Sequence, residues 1–264
     1  MIMIVTTAGR TSRDMVKKAK QLAETHQIHY KERSGVSIKT MKMEFQDDVL
    51  IVGKNRLVIS PLHDDQELFF HPNLAMVRAK RILNGEEEPL VSIAKLKEGM
   101  SFLDCTLGLA SDSIIASLVL GDKGLVTGIE ANPKLYLLTK EGLSSFVSGI
   151  KRFDCAMRAI DVVQADHGHY LKKADTNSFD VVYLDPMFSS SIETSNGINS
   201  IRNQAFKSEL TLDLIQEAKR VAKQRVVLKD HWQSQRFKEF GFTQYKRKTA
   251  LFHYGVIELN KEIH

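Results

Sequence analysis

The chain has 264 residues, 43% hydrophobic and 26% charged, the balance of a globular protein with one large domain or two smaller ones. No apolar run reaches the length of a membrane span, and Cys105 and Cys155 lack the spacing of a zinc ribbon or disulfide framework, which leaves packing as their expected role. The net charge of +5 lies in the first quarter, where residues 1–60 hold 11 Lys and Arg against 6 Asp and Glu; this bias suits a polyanion such as RNA, or only a solvated surface.

The first residues, Met1-Ile2-Met3-Ile4-Val5, have no basic flank and form too short an apolar run for a signal peptide, so a first strand and a cytoplasmic protein are expected. Thr11 or Ser12 then caps a helix with Met15, Val16, Ala19, Leu22 and Ala23 at helical spacing. Between Val36 and Ser60 the chain is β-branched or alternating, with breaks at Gln46-Asp47-Asp48 and Gly53-Lys54-Asn55. A small antiparallel sheet is predicted there. Asn73 is a candidate cap for a helix through Leu83, ending at Asn84-Gly85, and Glu86-Glu87-Glu88-Pro89 reads as a linker. The expected domains are therefore an α+β module over 1–89, a candidate for binding RNA or substrate, and a second domain over 90–264.

From Ile93 onward short apolar runs alternate with helical stretches: 100–105, a helix from about Asp112, 125–130, a helix from about Pro133, 161–165, 179–184, a helix near 210–222, and 225–229. That alternation predicts an α/β fold, a Rossmann-like doubly wound and mostly parallel sheet, with 242–245 and 251–259 as an antiparallel hairpin at its far edge.

The loop Asp104-Cys105-Thr106-Leu107-Gly108-Leu109-Ala110-Ser111-Asp112 falls where the first strand of that sheet meets its first helix, the cofactor position. It lacks Gly-x-Gly-x-x-Gly, and two carboxylates, Asp104 and Asp112, would repel a pyrophosphate; they suit the cationic methionine end of S-adenosylmethionine, although Asp112 also reads as a helix cap. Glu130 ends the next strand, where an acid accepts from ribose hydroxyls, and Asp166 ends the third, placed for the adenine amine. Asp166-His167-Gly168-His169 also permits a metal reading, weaker than a turn because no further ligand has an obvious spacing.

After the apolar run 179–184 comes Asp185-Pro186-Met187-Phe188. An exocyclic base amine is a poor nucleophile because its lone pair is delocalised into the ring. The Asp185 carboxylate and the Pro186 carbonyl can each accept one of its N–H bonds and turn the lone pair toward a methyl donor, while Phe188 stacks on the base. The bland alternative is a turn proline with a packed ring. His71, Arg78, Arg202 and Lys229 are candidates for substrate contact, each with a structural or surface alternative, and Lys207 is available for phosphate. The polar tract 189–204 reads as a lid over the substrate, or as an ordinary surface loop.

Taken together, Asp185-Pro186-Met187-Phe188, the 104–112 loop, Glu130, Asp166 and the strand Val226-Val227-Leu228-Lys229 resemble the class I methyltransferases of the RsmJ-like family, which act on guanine N2 in bacterial small-subunit ribosomal RNA. The likeness covers about residues 95–230, and the chain departs from the family's pattern at Ser189-Ser190-Ser191. The resemblance implies S-adenosylmethionine as donor and ribosomal RNA or the small ribosomal subunit as partner, with no membrane. DNA or protein-amide methylation, a non-catalytic RNA-binding protein and a nicotinamide oxidoreductase are the competing readings. No oligomeric state follows from the sequence.

Overall fold

The computed structural model describes residues 3–186 and 210–259, and these form two compact units: one of residues 3–71 and 133–146, the other of 72–132, 147–186 and 210–259. The boundary expected at residue 89 thus falls inside the second unit, and the stretch 133–146 belongs to the first.

In the first unit, strand β1 (Ile4–Thr7) is fully buried and leads to helix α1 (Arg13–His26). Ser12 caps α1 by accepting from the Met15 N–H at 3.3 Å, and Met15, Ala19, Leu22 and Ala23 form its buried stripe. Strand β2 (His29–Tyr30), helix α2 (Ile38–Phe45) and strands β3 (Val49–Val52) and β4 (Leu57–Ser60) follow. The sheet order is β2-β1-β3-β4, with β1 parallel to both neighbours and only β3 and β4 antiparallel.

Two expectations are corrected here. The sheet is mixed, and 38–45 is a helix. Ile38, Met41 and Phe45 follow helical spacing, whereas alternation groups Met41, Met43 and Phe45; Ser37 accepts from the Thr40 N–H at 3.0 Å, and Met43, which alternation would bury, lies exposed. The helix Pro133–Ser145 closes this unit, with Leu137 and Leu138 entering the core of Met3, Val5, Leu50 and Ile59. Each such fully buried aliphatic side chain contributes about 1.5–3 kcal/mol.

The second unit begins with helices α3 (Asn73–Leu83) and α4 (Pro89–Ala94). Pro72 rather than Asn73 is the cap residue of α3, and it makes no side-chain cap bond. The linker-like Glu86–Pro89 stretch instead starts α4: Pro89 supplies a preset φ, and Glu88 accepts from the N–H groups of Leu90 and Val91. Then come β5 (Ser101–Asp104), α5 (Ser111–Leu120), β6 (Leu125–Glu130), α6 (the Pro133–Ser145 helix of the first unit), α7 (Lys151–Arg158), β7 (Ile160–Gln164), α8 (His167–Lys173) and β8 (Phe179–Leu184). After residue 209 the described chain continues through α9 (Leu212–Val221), β9 (Ala222–His231), α10 (Arg236–Glu239), β10 (Thr243–Tyr245) and β11 (Phe252–Glu258).

The strands make one sheet in the order β10-β11-β9-β8-β5-β6-β7, parallel from β7 to β9, with β11 antiparallel to both its neighbours. The predicted Rossmann-like α/β architecture and edge hairpin are therefore present. Leu103, Val182, Leu184, Val226 and Leu228 from the strands pack with Leu214 and Ile215 of α9 and Phe237 of α10. Cys105 is buried, as expected for packing, but Cys155 is exposed. Among the described residues no helix is long and apolar enough to cross a membrane.

The chain runs from β5 outward to β7 on one side, then returns to place β8 and β9 on the other side of β5. The reversal between β5 and β8 leaves a crevice at their carboxyl ends, the ligand position of open α/β sheets.

Candidate functional site

Both sides of this crevice are loops whose shape the sequence dictates. After β5 the chain turns through Gly108 (φ 52°) and Ala110 (φ 62°), two residues in the left-handed region, before α5 begins. Glycine takes this conformation freely, whereas alanine does so at about 1–2 kcal/mol. The loop is held from outside: the Leu107 N–H bonds the Ile129 carbonyl at 3.0 Å, and Leu107 packs over Gly128 so closely that a Cβ there would lie 2.4 Å from its Cδ1.

Glu130, at the end of β6, accepts from the Gly108 N–H at 3.0 Å with Oε2 and from the Asn132 N–H at 2.8 Å with Oε1. Burial raises its pKa, and the backbone N–H bonds of Asn132 and Gly108 oppose that. Each oxygen keeps further acceptor capacity, so the paired hydroxyls of a ribose fit this carboxylate.

Asp104 turns inward. Its Oδ1 accepts from the Thr106 N–H at 2.9 Å, and its Oδ2 accepts from the Ser113 hydroxyl at 2.6 Å. Burial pushes its carboxyl up to about 7, against the Ser113 and Thr106 hydrogen bonds. Thr106 also faces the opposite loop, its Oγ1 accepting from the Asp185 N–H at 2.7 Å. The loops after β5 and β8 are thus joined through one hydroxyl.

Asp112 lies in the first turn of α5 and is not the cap, a position held by Ala110. Its Oδ1 accepts from Arg78 Nη1 at 2.6 Å; its Oδ2 accepts from the Tyr183 hydroxyl at 2.8 Å and from Lys229 Nζ at 3.0 Å. Burial alone would raise its pKa, but the Lys229 ammonium and then the Arg78 guanidinium outweigh it and hold the carboxyl well below the usual range. Arg78 is fixed in turn by Glu88, whose Oε1 accepts from Nε at 2.8 Å. Asp104 and Asp112, expected to face a ligand's ammonium, are also engaged by donors of the chain itself, which the sequence did not reveal.

Lys229 is the hinge of the arrangement. Its Nζ lies 3.0 Å from Asp112 and 2.7 Å from Oδ2 of Asp185, and these two carboxylates raise its pKa well above the ordinary value despite burial. Asp185 is 23% exposed yet deep in the crevice, where desolvation raises its pKa, Lys229 lowers it and Asp112 adds to the rise. Among the described residues Lys229 engages Asp185 through Oδ2. Pro186 is buried beside it.

The remaining candidates are placed as follows. Asp166 is exposed and caps α8, accepting from the His169 N–H at 2.9 Å. His71 belongs to the first unit, its ring edge-on to Phe69 at 5.4 Å. Phe188, Arg202, Lys207 and the tract 189–204 lie outside the described residues. Sequence reasoning missed Tyr183, Glu88 and Tyr254. A tyrosine inside a buried parallel strand requires a partner for its hydroxyl, and Glu-Pro is a helix-start signal, so two of the three had left a trace. Tyr254 faces Lys229 across β9 and β11, and burial raises its pKa.

Residues 34–249 match the family model described as "Putative SAM-dependent methyltransferase". The chain is 48% identical over 255 residues to "Uncharacterized protein YpiP" of Bacillus subtilis, covering 97% of this chain and 99% of that protein. It is 29% identical over 105 residues to a probable cobalt-precorrin-6B C(15)-methyltransferase of Sulfolobus acidocaldarius, covering 39% of this chain and 50% of that one. In fold it is similar to the SAM-dependent methyltransferase NGO1261 of Neisseria gonorrhoeae, with TM-score 0.64, 14% identity and coverage of 97% and 95% of the two chains. With a family match over most of its length and a crevice whose strand-end acid suits an adenosyl ribose, the chain belongs to this family of SAM-dependent methyltransferases and uses S-adenosylmethionine as its cofactor.

Proposed function

We propose that this methyltransferase acts on the exocyclic N2 amine of a guanine in small-subunit ribosomal RNA, in the cytoplasm. The observation that carries the reading is the Asp185 carboxylate, anchored at one oxygen by Lys229 and joined through its backbone N–H to Thr106 of the cofactor loop. An acceptor held by Asp185 would therefore be registered against the cofactor side of the crevice. The excess of basic residues over 1–60 and the resemblance of the Asp-Pro-Met-Phe loop support RNA as the substrate.

Glu130 and the Gly108 turn would hold the adenosyl ribose, with Asp104 and Thr106 shaping the loop; Asp166 is retained as a contact for the adenine amine. When bound, the cofactor supplies an electrophilic methyl group on a sulfonium. The chain's own task is to make the amine a nucleophile. Asp185 and the Pro186 carbonyl each accept one N–H, which localises the nitrogen lone pair and aims it. Phe188 would stack on the base. After transfer the nitrogen carries one proton too many, and Asp185, with its raised pKa, is the adjacent group able to take it. Arg78, through Asp112 and Lys229, keeps this carboxylate in place.

The test is transfer of labelled methyl to small subunits, naked ribosomal RNA, DNA and protein fractions from cells lacking this chain, followed by mapping of the modified base. Label at a guanine N2 of ribosomal RNA is expected. Asp185→Ala should abolish transfer yet leave cofactor binding, measured by calorimetry, near the parent value. Label confined to DNA or protein, or normal turnover by Asp185→Ala, would overturn the reading.

A further inference from the structure

Strands β9 and β10 both run toward the carboxyl edge of the sheet where Asp185 lies. Trp232 follows the last residue of β9, and Tyr245 is the last residue of β10. In the strand register Tyr245 faces Tyr254 and Tyr254 faces Lys229, the residue that anchors Asp185. Tyr245 is therefore two strand spacings, about 10 Å, to the side of Lys229. Beyond it the turn Lys246-Arg247-Lys248-Thr249-Ala250-Leu251 projects past the sheet edge.

Three features of this edge are unlike ordinary surface. Trp232, Tyr245 and Leu251 are 47%, 41% and 49% exposed, large groups at the same edge of the sheet, after β9, at the end of β10 and before β11. The backbone carrying them is tied down: the Trp232 N–H bonds the Leu251 carbonyl at 3.0 Å, Gln244 Nε2 donates to the Trp232 carbonyl at 2.8 Å, and the His253 ring contacts the Arg247 main chain at 3.1 Å. Finally, Lys246, Arg247 and Lys248 are all exposed, and none forms an ion pair with a described residue. Residues 231–251 contain five Lys and Arg, of which Arg236 is bound to Asp230, against the single acid Glu239.

Exposed aromatic side chains on a tied-down backbone, beside cations that pair with no described residue, are what an unstacked strand of bases requires: the rings stack on base faces and the cations neutralise phosphates. A duplex would leave the rings without partners. We infer that Trp232, Tyr245 and the 246–251 turn grip single-stranded RNA flanking the target nucleotide, a proposal that rests on the RNA-methyltransferase reading above.

Trp232 is the chain's one tryptophan, so its intrinsic fluorescence reports on the surface directly. Titrating the full chain with an unstructured RNA oligonucleotide should quench it. Heparin and an RNA duplex of equal length should do so less. By fluorescence anisotropy of labelled RNA, Trp232→Ala should weaken binding by about tenfold or more, and Trp232→Phe should restore most of it. Replacing Lys246, Arg247 and Lys248 together by Gln should flatten the slope of log K against log salt by about 0.7 for each phosphate no longer neutralised.

Unchanged fluorescence on RNA binding, wild-type affinity of Trp232→Ala, or equal quenching by the RNA duplex would each overturn the proposal. Calorimetric binding of S-adenosylmethionine by the same variants separates the two readings. Trp232→Ala that keeps the cofactor but loses RNA supports the surface, whereas intact RNA quenching with methyl label only on protein refutes the substrate assignment while leaving the surface standing.

Discussion

Replacing Lys229 by methionine keeps the apolar stem and removes the ammonium that Asp112 and Asp185 share at 3.0 and 2.7 Å. Asp112 retains Arg78 and the Tyr183 hydroxyl, so its charge stays matched. Asp185 loses the cation that opposes its desolvation, and its pKa moves further up. Breaking a fully buried pair costs about 3–5 kcal/mol, but Lys229 and Asp185 are 22% and 23% exposed and the network survives in part, which lowers the expectation to about 2 kcal/mol. A domain of this size should then melt roughly 4–8 °C lower. Turnover should fall about a hundredfold, because the carboxylate is no longer fixed against the acceptor. The sign of the pH effect follows from the same loss: a higher pKa leaves less carboxylate at neutral pH, so the variant should regain turnover as pH rises, more steeply than the parent. Thermal melts and labelled methyl transfer from about pH 6 to 9 read all three. A lower melting temperature with parental turnover and an unshifted acid limb would refute a positioning role and leave Lys229 purely structural.

Gly128→Ala places a methyl 2.4 Å from the Leu107 side chain, so the loop after β5 must shift. A loss of about 1–3 kcal/mol in urea unfolding, with weaker cofactor binding by calorimetry, is expected, and adding Leu107→Ala should return part of the stability. Asp104 gives a pH signature: its carboxyl is at about 7 in the folded chain and about 3.9 unfolded, so between those values the folded state binds the extra proton and stability falls as pH rises. Asp104→Asn cannot titrate; the parent should lose stability relative to it, on the order of 3–4 kcal/mol, between about pH 4 and 7. Parallel melting curves for the two chains across that range would count against a protonated Asp104.

The strands of the second unit were legible because each is a short apolar run bounded by turn residues. Leu125–Glu130, between Gly121-Asp122-Lys123-Gly124 and Ala131-Asn132-Pro133, is the clearest case. Helix α2 was not, since Met41 and Phe45 belong both to the helical set with Ile38 and to the alternating set with Met43, and the two sets are told apart by Met43 being outside. Periodicity also shows that Leu137 and Leu138 are buried without saying in which core, and they enter that of the first unit. At the site, the position of each acid at a strand end could be read, but not its partner. Lys229 meets Asp112 across 117 residues, and Arg78 meets it across 34; such pairings arise from strand order, which local pattern does not encode.

The Thr106 hydroxyl has a wider consequence. One rotor gives its proton toward Asp104 at 3.3 Å and takes one from the main chain of Asp185 at 2.7 Å. Were the loop after β5 to tighten on a ligand, it would pull on the loop after β8 through this atom. By thermodynamic reciprocity, whatever factor the first ligand adds to the affinity for the second is returned in full. With such coupling the two halves of the crevice would need no fixed order of filling to cooperate, and loss of either ligand would loosen the hold on its neighbour, favouring release once the reaction has changed one of them.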